Sequence, residues 1–316
     1  MPQPKKVDIR STIIRQRMTK HRDQLMNDLE NEEKNVAQVL AWIDTAQELG
    51  DIELKIDLIV SLGSFHKSRG ANDKALEAYQ TAEQLSQQSG APLADLISIK
   101  YNIATIQIDG FRRYQEGIDQ YQQAILLSED IPDEEALRIK LHCHSNLSLA
   151  YLLSYQYDNA RSAIESFWEE WESPYLNTIP PDRRGSGVTV IRRVEAMVHI
   201  IKGEYEQADN KIRLLLELTK PQNKHSYTVT GYLLQVMLAL GSPNHPTNAE
   251  DYWKQAEKFV DELLEQQDAA IYYIAHHSYG ENADQFAYLG HNDWAERCRE
   301  MAKQLYSKSG QVDISL

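Results

Sequence analysis

Leu62-Gly63-x-x-His66, followed by Gly70, Ala75-Leu76, Tyr79 and Ala82, is the stretch that decides the fold. Apolar and small residues recur there three and four apart, the period of an amphipathic helix, and Gly70 separates two such runs. Two helices joined by a short turn are implied. Gly63, Ala75 and Ala82 are small enough for the pair to approach closely, while Tyr79 fills the space towards the next element. The same texture extends outward over nearly the whole chain. Helices of about 12–20 residues are broken at Gly50, Gly70, Gly90-Ala91-Pro92, Gly110, Ile131-Pro132, residues 174–187, Gly203, Lys220-Pro221, residues 241–246 and Gly290. Gly187-Val188-Thr189-Val190-Ile191 is the one short β-branched run, and it flows into a helical pattern. The expected fold class is all-α.

The opening motif then recurs. A second copy reads Asn102-Ile103-Ala104, Tyr114, Gly117-Ile118, Tyr121, Ala124, with about one extra residue in its turn. A third reads Asn146-Leu147-Ser148-x-x-Tyr151, Tyr157, Ala160, Ile164, and a fourth Ala196-x-x-His199, Gly203, Tyr205, Ala208, Ile212. The fifth ends Ala249, Trp253, Ala256; the sixth reads Ala283-x-x-Phe286, Gly290, Ala295, Arg299, Ala302. From Ala75 to Ala295 the five intervals average 44 residues. Six copies in order identify a repeat array, and residues 51–305 resemble the tetratricopeptide-repeat family. Its usual repeat is about 34 residues, so helices or loops here are longer. The resemblance implies a right-handed superhelical solenoid of antiparallel helix pairs with a concave inner groove. Residues 1–50 would form a basic N-terminal helix and a degenerate capping pair, residues 51–306 the six repeats, and residues 307–316 a tail.

A second resemblance lies just before the repeats. Leu29-Glu30-Asn31-Glu32-x-x-Asn35-x-x-x-x-Leu40-x-Trp42, Leu49-Gly50-Asp51, Phe65 and Arg69-Gly70 look like the start of the helical sensor region of bacterial STAND signal-transduction ATPases and related transcriptional regulators. The nucleotide-binding part of such proteins needs G-x-x-x-x-G-K-[ST], which this sequence lacks. The kinship therefore implies a sensor or adaptor portion without the motor.

Charge narrows the partners. Net charge is −14, but residues 1–22 carry seven basic residues against Asp8 alone, leaving −20 on the rest. A body that acidic is unsuited to nucleic acid, whose phosphates demand a basic surface. The basic end, with Ile9, Ile13, Met18, Leu25 and Leu29 as an apolar stripe, is expected to cap the array, its charges facing the acidic body; contact with an anionic surface is the alternative. No apolar run reaches the roughly 18–20 residues of a membrane span, and Met1–Lys6 leads into a polar stretch without a signal-peptide core. Cys143 and Cys298 are too few for a disulfide framework, which favours a reducing cytoplasm.

Catalytic motifs are missing: there is no H-E-x-x-H, C-x-x-C, G-x-S-x-G or G-x-G-x-x-G. No enzyme activity, cofactor or metal is expected. In His142-Cys143-His144 the two imidazoles point to nearly opposite sides of a helix, and adjacent His276-His277 meet the same objection. Arg183-Arg184-Gly185-Ser186-Gly187 resembles a phosphate loop but reads better as an exposed connection.

The tetratricopeptide resemblance puts function in the groove, lined by the first helix of each pair. The inward positions would be Ser61, Asn102, Asn146, Val194, Tyr232 and Glu281, with Val60, Tyr101, Ser145, Arg193 and Gly231 beside them. In the family such an Asn clamps the backbone of an extended peptide, its amide both donating and accepting; bonding within the helix pair is the other reading. The Lys, Asn and Arg set by which some relatives grip a C-terminal carboxylate is missing, with Val60, Ser64, His142 and Asn146 at the corresponding places. Leu149, Leu152, Leu153, Met197, Ile200 and Ile201 make an apolar strip, suited to a partner's side chains or to core packing. The expected partner-binding set is Asn102, Asn146, Arg193, Tyr101, His142, Leu149, Leu153, Met197 and Ile201. The expected function is that of a non-catalytic scaffold holding a peptide or protein segment, with self-association possible. The alternative is a regulatory subunit of a signalling or defence complex, docking on an effector through its outer face and basic end.

Overall fold

The computed structural model describes residues 10, 12–17, 32–129, 131, 134–174, 187–220, 225–243, 245–265 and 269–308. Among these, every regular element is helical. The helices are α1 (Glu32–Glu48), α2 (Ile52–Ser68), α3 (Asn72–Ser89), α4 (Leu93–Thr105), α5 (Tyr114–Ser128), α6 (Glu134–Leu153) and α7 (Tyr157–Trp171). They continue with α8 (Gly187–Ile201), α9 (Tyr205–Thr219), α10 (His225–Gly241), α11 (Ala249–Leu264), α12 (Ala269–Tyr288) and α13 (Asn292–Lys308). Each break expected from glycine or proline falls between two of these elements or at the end of one. The stripe residues Ile9, Met18, Leu25 and Leu29, the Arg183–Ser186 stretch and residues 309–316 of the tail lie outside the described residues.

The chain divides into two compact units, Met1–Cys143 and His144–Leu316, the dividing point falling within α6. In unit 1, α2 packs on α3, α3 on α4 and α4 on α5. Ile56, Ile59, Ala75, Ala78, Tyr79, Ala82, Ile99, Ile103 and Ile106 form one buried cluster. A smaller cluster of Ala46, Leu54 and Leu58 is covered by Val39, Trp42, Ile43 and by Ile14 from the N-terminal segment. Beside Ile14, Arg15 reaches Asp51 at 3.3 Å and Asp57 at 3.2 Å. Burial pushes the Asp57 carboxyl up to about 6 even though Arg15 pulls the other way. One basic residue of the N-terminal segment thus faces acidic residues of its own unit.

The extra residue in the second copy has a physical form. Between α4 and α5, residues Ile106–Gly110 make a π-helical turn, which is how a helix takes in one additional residue without breaking its ladder. Arg113 N–H then bonds to the Gln107 carbonyl at 2.8 Å and closes the turn.

In unit 2, α8 packs on α9, α9 on α10, α10 on α11 and α12 on α13; α10 also touches both α8 and α12. Buried residues are drawn from every helix from α6 to α13, with Phe167, Trp253, Tyr279 and Phe286 the largest. Trp253 stacks edge-on against Tyr279 and Trp294, and Arg297 lies 4.4 Å over the Trp253 ring while pairing with Glu250 at 2.7 Å.

Helix approach in the first pair depends on Gly63. A Cβ there would come within 2.8 Å of the Tyr79 ring, which is fully buried and hydrogen-bonded through its hydroxyl to Ser64 at 3.0 Å. The ring has nowhere to go. Gly63→Ala is therefore expected to destabilise the protein by about 1–3 kcal/mol, the usual cost of overpacking. That outweighs the roughly 1 kcal/mol that alanine gains in a helix interior. Urea unfolding of the variant checks it; a stabilised variant would contradict the close-approach account.

Candidate functional site

Two faces carry the residues singled out by the sequence, one in each unit. In unit 1, α4 presents Tyr101 and Asn102, and α6 presents His142. The Tyr101 ring lies 6.2 Å from His142 and 5.8 Å from Tyr121. Tyr121 is buried, bonded to Thr105 at 3.1 Å, and burial raises its pKa well above the ordinary phenol value. Thr105 in turn donates to the Tyr101 carbonyl at 2.8 Å. The half-buried Asn102 makes no side-chain hydrogen bond among the described residues. Its amide is therefore available to an external donor and acceptor.

In unit 2, α8 carries Arg193, Met197 and Ile201 four residues apart on one side. Arg193 is 5 % exposed and donates to Glu281 of α12 at 2.6 Å. Met197 is 1 % exposed, and Leu152 and Ile200 are buried with it, so this part of the apolar strip is core. Leu149, Leu153 and Ile201 remain half-buried, as does Asn146. Tyr232 and Glu281 are also half-buried, whereas Ser145, Val194 and Gly231 are buried.

Sequence reasoning named Glu281 as inward but missed its neighbours on α12. Ser278, Asn282 and Gln285 are all at least 97 % buried and fall on one helical face, at i, i+4 and i+7. Ser278 donates to the Ser226 carbonyl at 3.0 Å, and Asn282 to the Ser278 carbonyl at 2.7 Å. Neither amide atom of Gln285 has a hydrogen-bond partner among the described residues. The spacing of these three residues along one helical face was the available signal.

The remaining candidates are structural. Phe167 is buried against Trp171, and Trp168 donates to Glu195 at 3.1 Å with Arg192 stacked 4.6 Å over its ring. Glu195, 8 % exposed, also accepts from Arg192 and Lys211, which satisfies its charge. His276 bonds to the Ala302 carbonyl at 2.9 Å and is buried with it. Among the described residues no group of three His, Cys, Asp or Glu is placed to hold a metal, and no helix is long and apolar enough to cross a membrane.

No family model matches the chain, and no curated protein matches it. Solved structures do. The apo form of RapI has a TM-score of 0.71 at 13 % identity, covering 95 % of this chain and 98 % of that one. Aspartyl phosphate phosphatase F from Bacillus subtilis has a TM-score of 0.66 at 14 % identity, over 97 % of this chain and 73 % of that one. A Rap protein complexed with Competence and Sporulation Factor has a TM-score of 0.57 at 10 % identity, over 98 % of this chain and 90 % of that one. The fold is that of the tetratricopeptide-like helical-repeat proteins.

The Arg193–Glu281 pair is a tight and largely buried charged contact on the unit 2 face. Removing Glu281 strands a buried guanidinium. Glu281→Ala is expected to cost roughly 3 kcal/mol, the lower end for a broken buried pair because Glu281 keeps some solvent. Arg193→Met combined with Glu281→Leu should restore most of it. Denaturant unfolding of the three proteins checks this; a cost for Glu281→Ala no greater than that of a surface pair, under about 1 kcal/mol, would contradict it.

Proposed function

We propose that the chain is a non-catalytic regulator that binds a peptide or an extended protein segment on the faces of its first helices. The observation that carries this reading is the pairing of fold and chemistry on the unit 1 face. A helical repeat similar in fold to the Rap protein complexed with Competence and Sporulation Factor presents Asn102, an amide without a hydrogen-bond partner among the described residues, on the helix that carries Tyr101, whose ring lies 6.2 Å from His142. Such an amide matches the paired donor and acceptor of an extended main chain. In unit 2, Asn146, Leu149, Leu153 and Ile201 offer polar and apolar surface for the same kind of ligand.

The non-catalytic part of the proposal rests on the nucleophiles. Cys143 and Cys298 are free but buried, and burial pushes both thiols far above the range in which a thiolate forms. Glu195, Arg193 and Lys100, the buried charges of the described residues, are each engaged by a partner of opposite charge. The two unpaired cysteines fit a reducing cytoplasm.

The test uses the whole chain as bait in lysate and culture fluid of its native host, with retained peptides and proteins identified by mass spectrometry. Asn102→Ala with Asn146→Ala is expected to lower recovery of the specific ligand about tenfold, the effect of one or two lost hydrogen bonds, with an unchanged circular dichroism spectrum. Equal recovery by both forms would overturn the assignment to the first-helix faces.

A further inference from the structure

Three of the turns between the first and second helices of the pairs are built alike. In these the helix ends on a left-handed glycine: Gly70 at φ 71°, Gly203 at φ 73° and Gly290 at φ 83°. At each, the glycine N–H bonds to the carbonyl three residues back and the next N–H to the carbonyl five residues before itself. The turn between α6 and α7 has the same two bonds, Tyr155 N–H to Leu152 at 3.1 Å and Gln156 N–H to Tyr151 at 2.8 Å. Tyrosine occupies the left-handed place, at φ 61°, as Arg112 does at φ 53° in the α4–α5 turn. A Cβ makes that conformation unfavourable, and glycine would serve the turn without strain.

The Tyr155 ring has an occupation that glycine could not supply. It stacks on Tyr288, at the end of α12, with centroids 4.9 Å apart and planes 20° from parallel. Tyr157 closes the group at 5.3 Å from Tyr288 and 6.5 Å from Tyr155. Tyr155 and Tyr288 are 48 % and 47 % exposed. The stack is therefore wet on its outer side and weaker than a core contact, so it can open. It also lies on a strategic face of α12. Tyr288 is seven residues from Glu281, two helical turns along the same side, so the stripe that meets Tyr155 is the stripe that meets Arg193 of α8.

We propose that Tyr155, Tyr157 and Tyr288 form a clasp that fastens the end of α12 to the α6–α7 turn, the ring contact of Tyr155 offsetting the strain of its left-handed backbone. When the rings separate, the Tyr288 end of α12 is released from the α6–α7 turn. This stands on the geometry of unit 2 and does not require the peptide-binding reading.

The test compares Tyr155→Gly, Tyr288→Ala and their combination in the full chain. Relief of left-handed strain by glycine normally raises the thermal midpoint. The clasp predicts the opposite sign in the native background: Tyr155→Gly lowers the midpoint and speeds amide exchange across residues 276–288 by roughly two- to tenfold, the range of an aromatic stack. In the Tyr288→Ala background only strain relief is left, and Tyr155→Gly raises the midpoint. A rise of equal size in both backgrounds would overturn the clasp. Photo-oxidative cross-linking of the unmutated protein gives an independent reading should a variant fold poorly. A linked 155–288 tyrosine pair supports the closed form in solution, and linkage elsewhere without that pair overturns it.

Discussion

Close approach of two helical elements through a glycine on one and a bulky side chain on the other is the contact from which the rest of this structure is built. At Gly63 the Tyr79 ring occupies the volume a side chain would need; Gly117 receives Ile108, and Gly231 receives Leu216, in the same manner. A helix pair fixed at that spacing buries little by itself. It is stable because the next pair covers its outer ring and isoleucine face, as α4 does for α3 through Ile99 and Ile103. The first helices keep part of their surface for half-buried polar residues such as Asn102 and Asn146. The face that carries Asn102 is a by-product of how the pairs stack.

Much of this is legible in the sequence because its causes are local. Glycine at a left-handed helix end needs no tertiary context, so Gly70, Gly203 and Gly290 mark turns directly. A spacing anomaly of one residue in the second copy becomes the π turn at Ile106–Gly110. The site is less legible. Arg193 looks like a groove residue by position, yet its partner Glu281 lies on another pair, and no local pattern links the two. Met197 and Leu149 belong to one apolar strip in the sequence; only the packing of unit 2 decides that Met197 is core while Leu149 keeps some surface. The polar stripe Ser278, Asn282 and Gln285 was visible as spacing but carried no sign of being buried.

Two kinds of polar group coexist on the first helices, and they do different work. Lys100 bonded to Glu83, Gln120 and Gln123, and Glu195 held by Trp168, Arg192 and Lys211, are satisfied within the protein and fix how helices meet. Asn102 is different, because its amide is half-buried and makes no hydrogen bond among the described residues. A group of that kind costs the folded protein a little and repays it only when something binds.

Binding on that face is the central claim, and a photo-reactive residue tests it most directly. Benzoylphenylalanine placed at Tyr101, beside Asn102, is compared in the native host with the same group at Leu126, an exposed position on α5. The account predicts a discrete cross-linked peptide or protein from position 101 and none from 126. Cross-linking from 126 alone would move the partner to the second helices and contradict the assignment of function to the first.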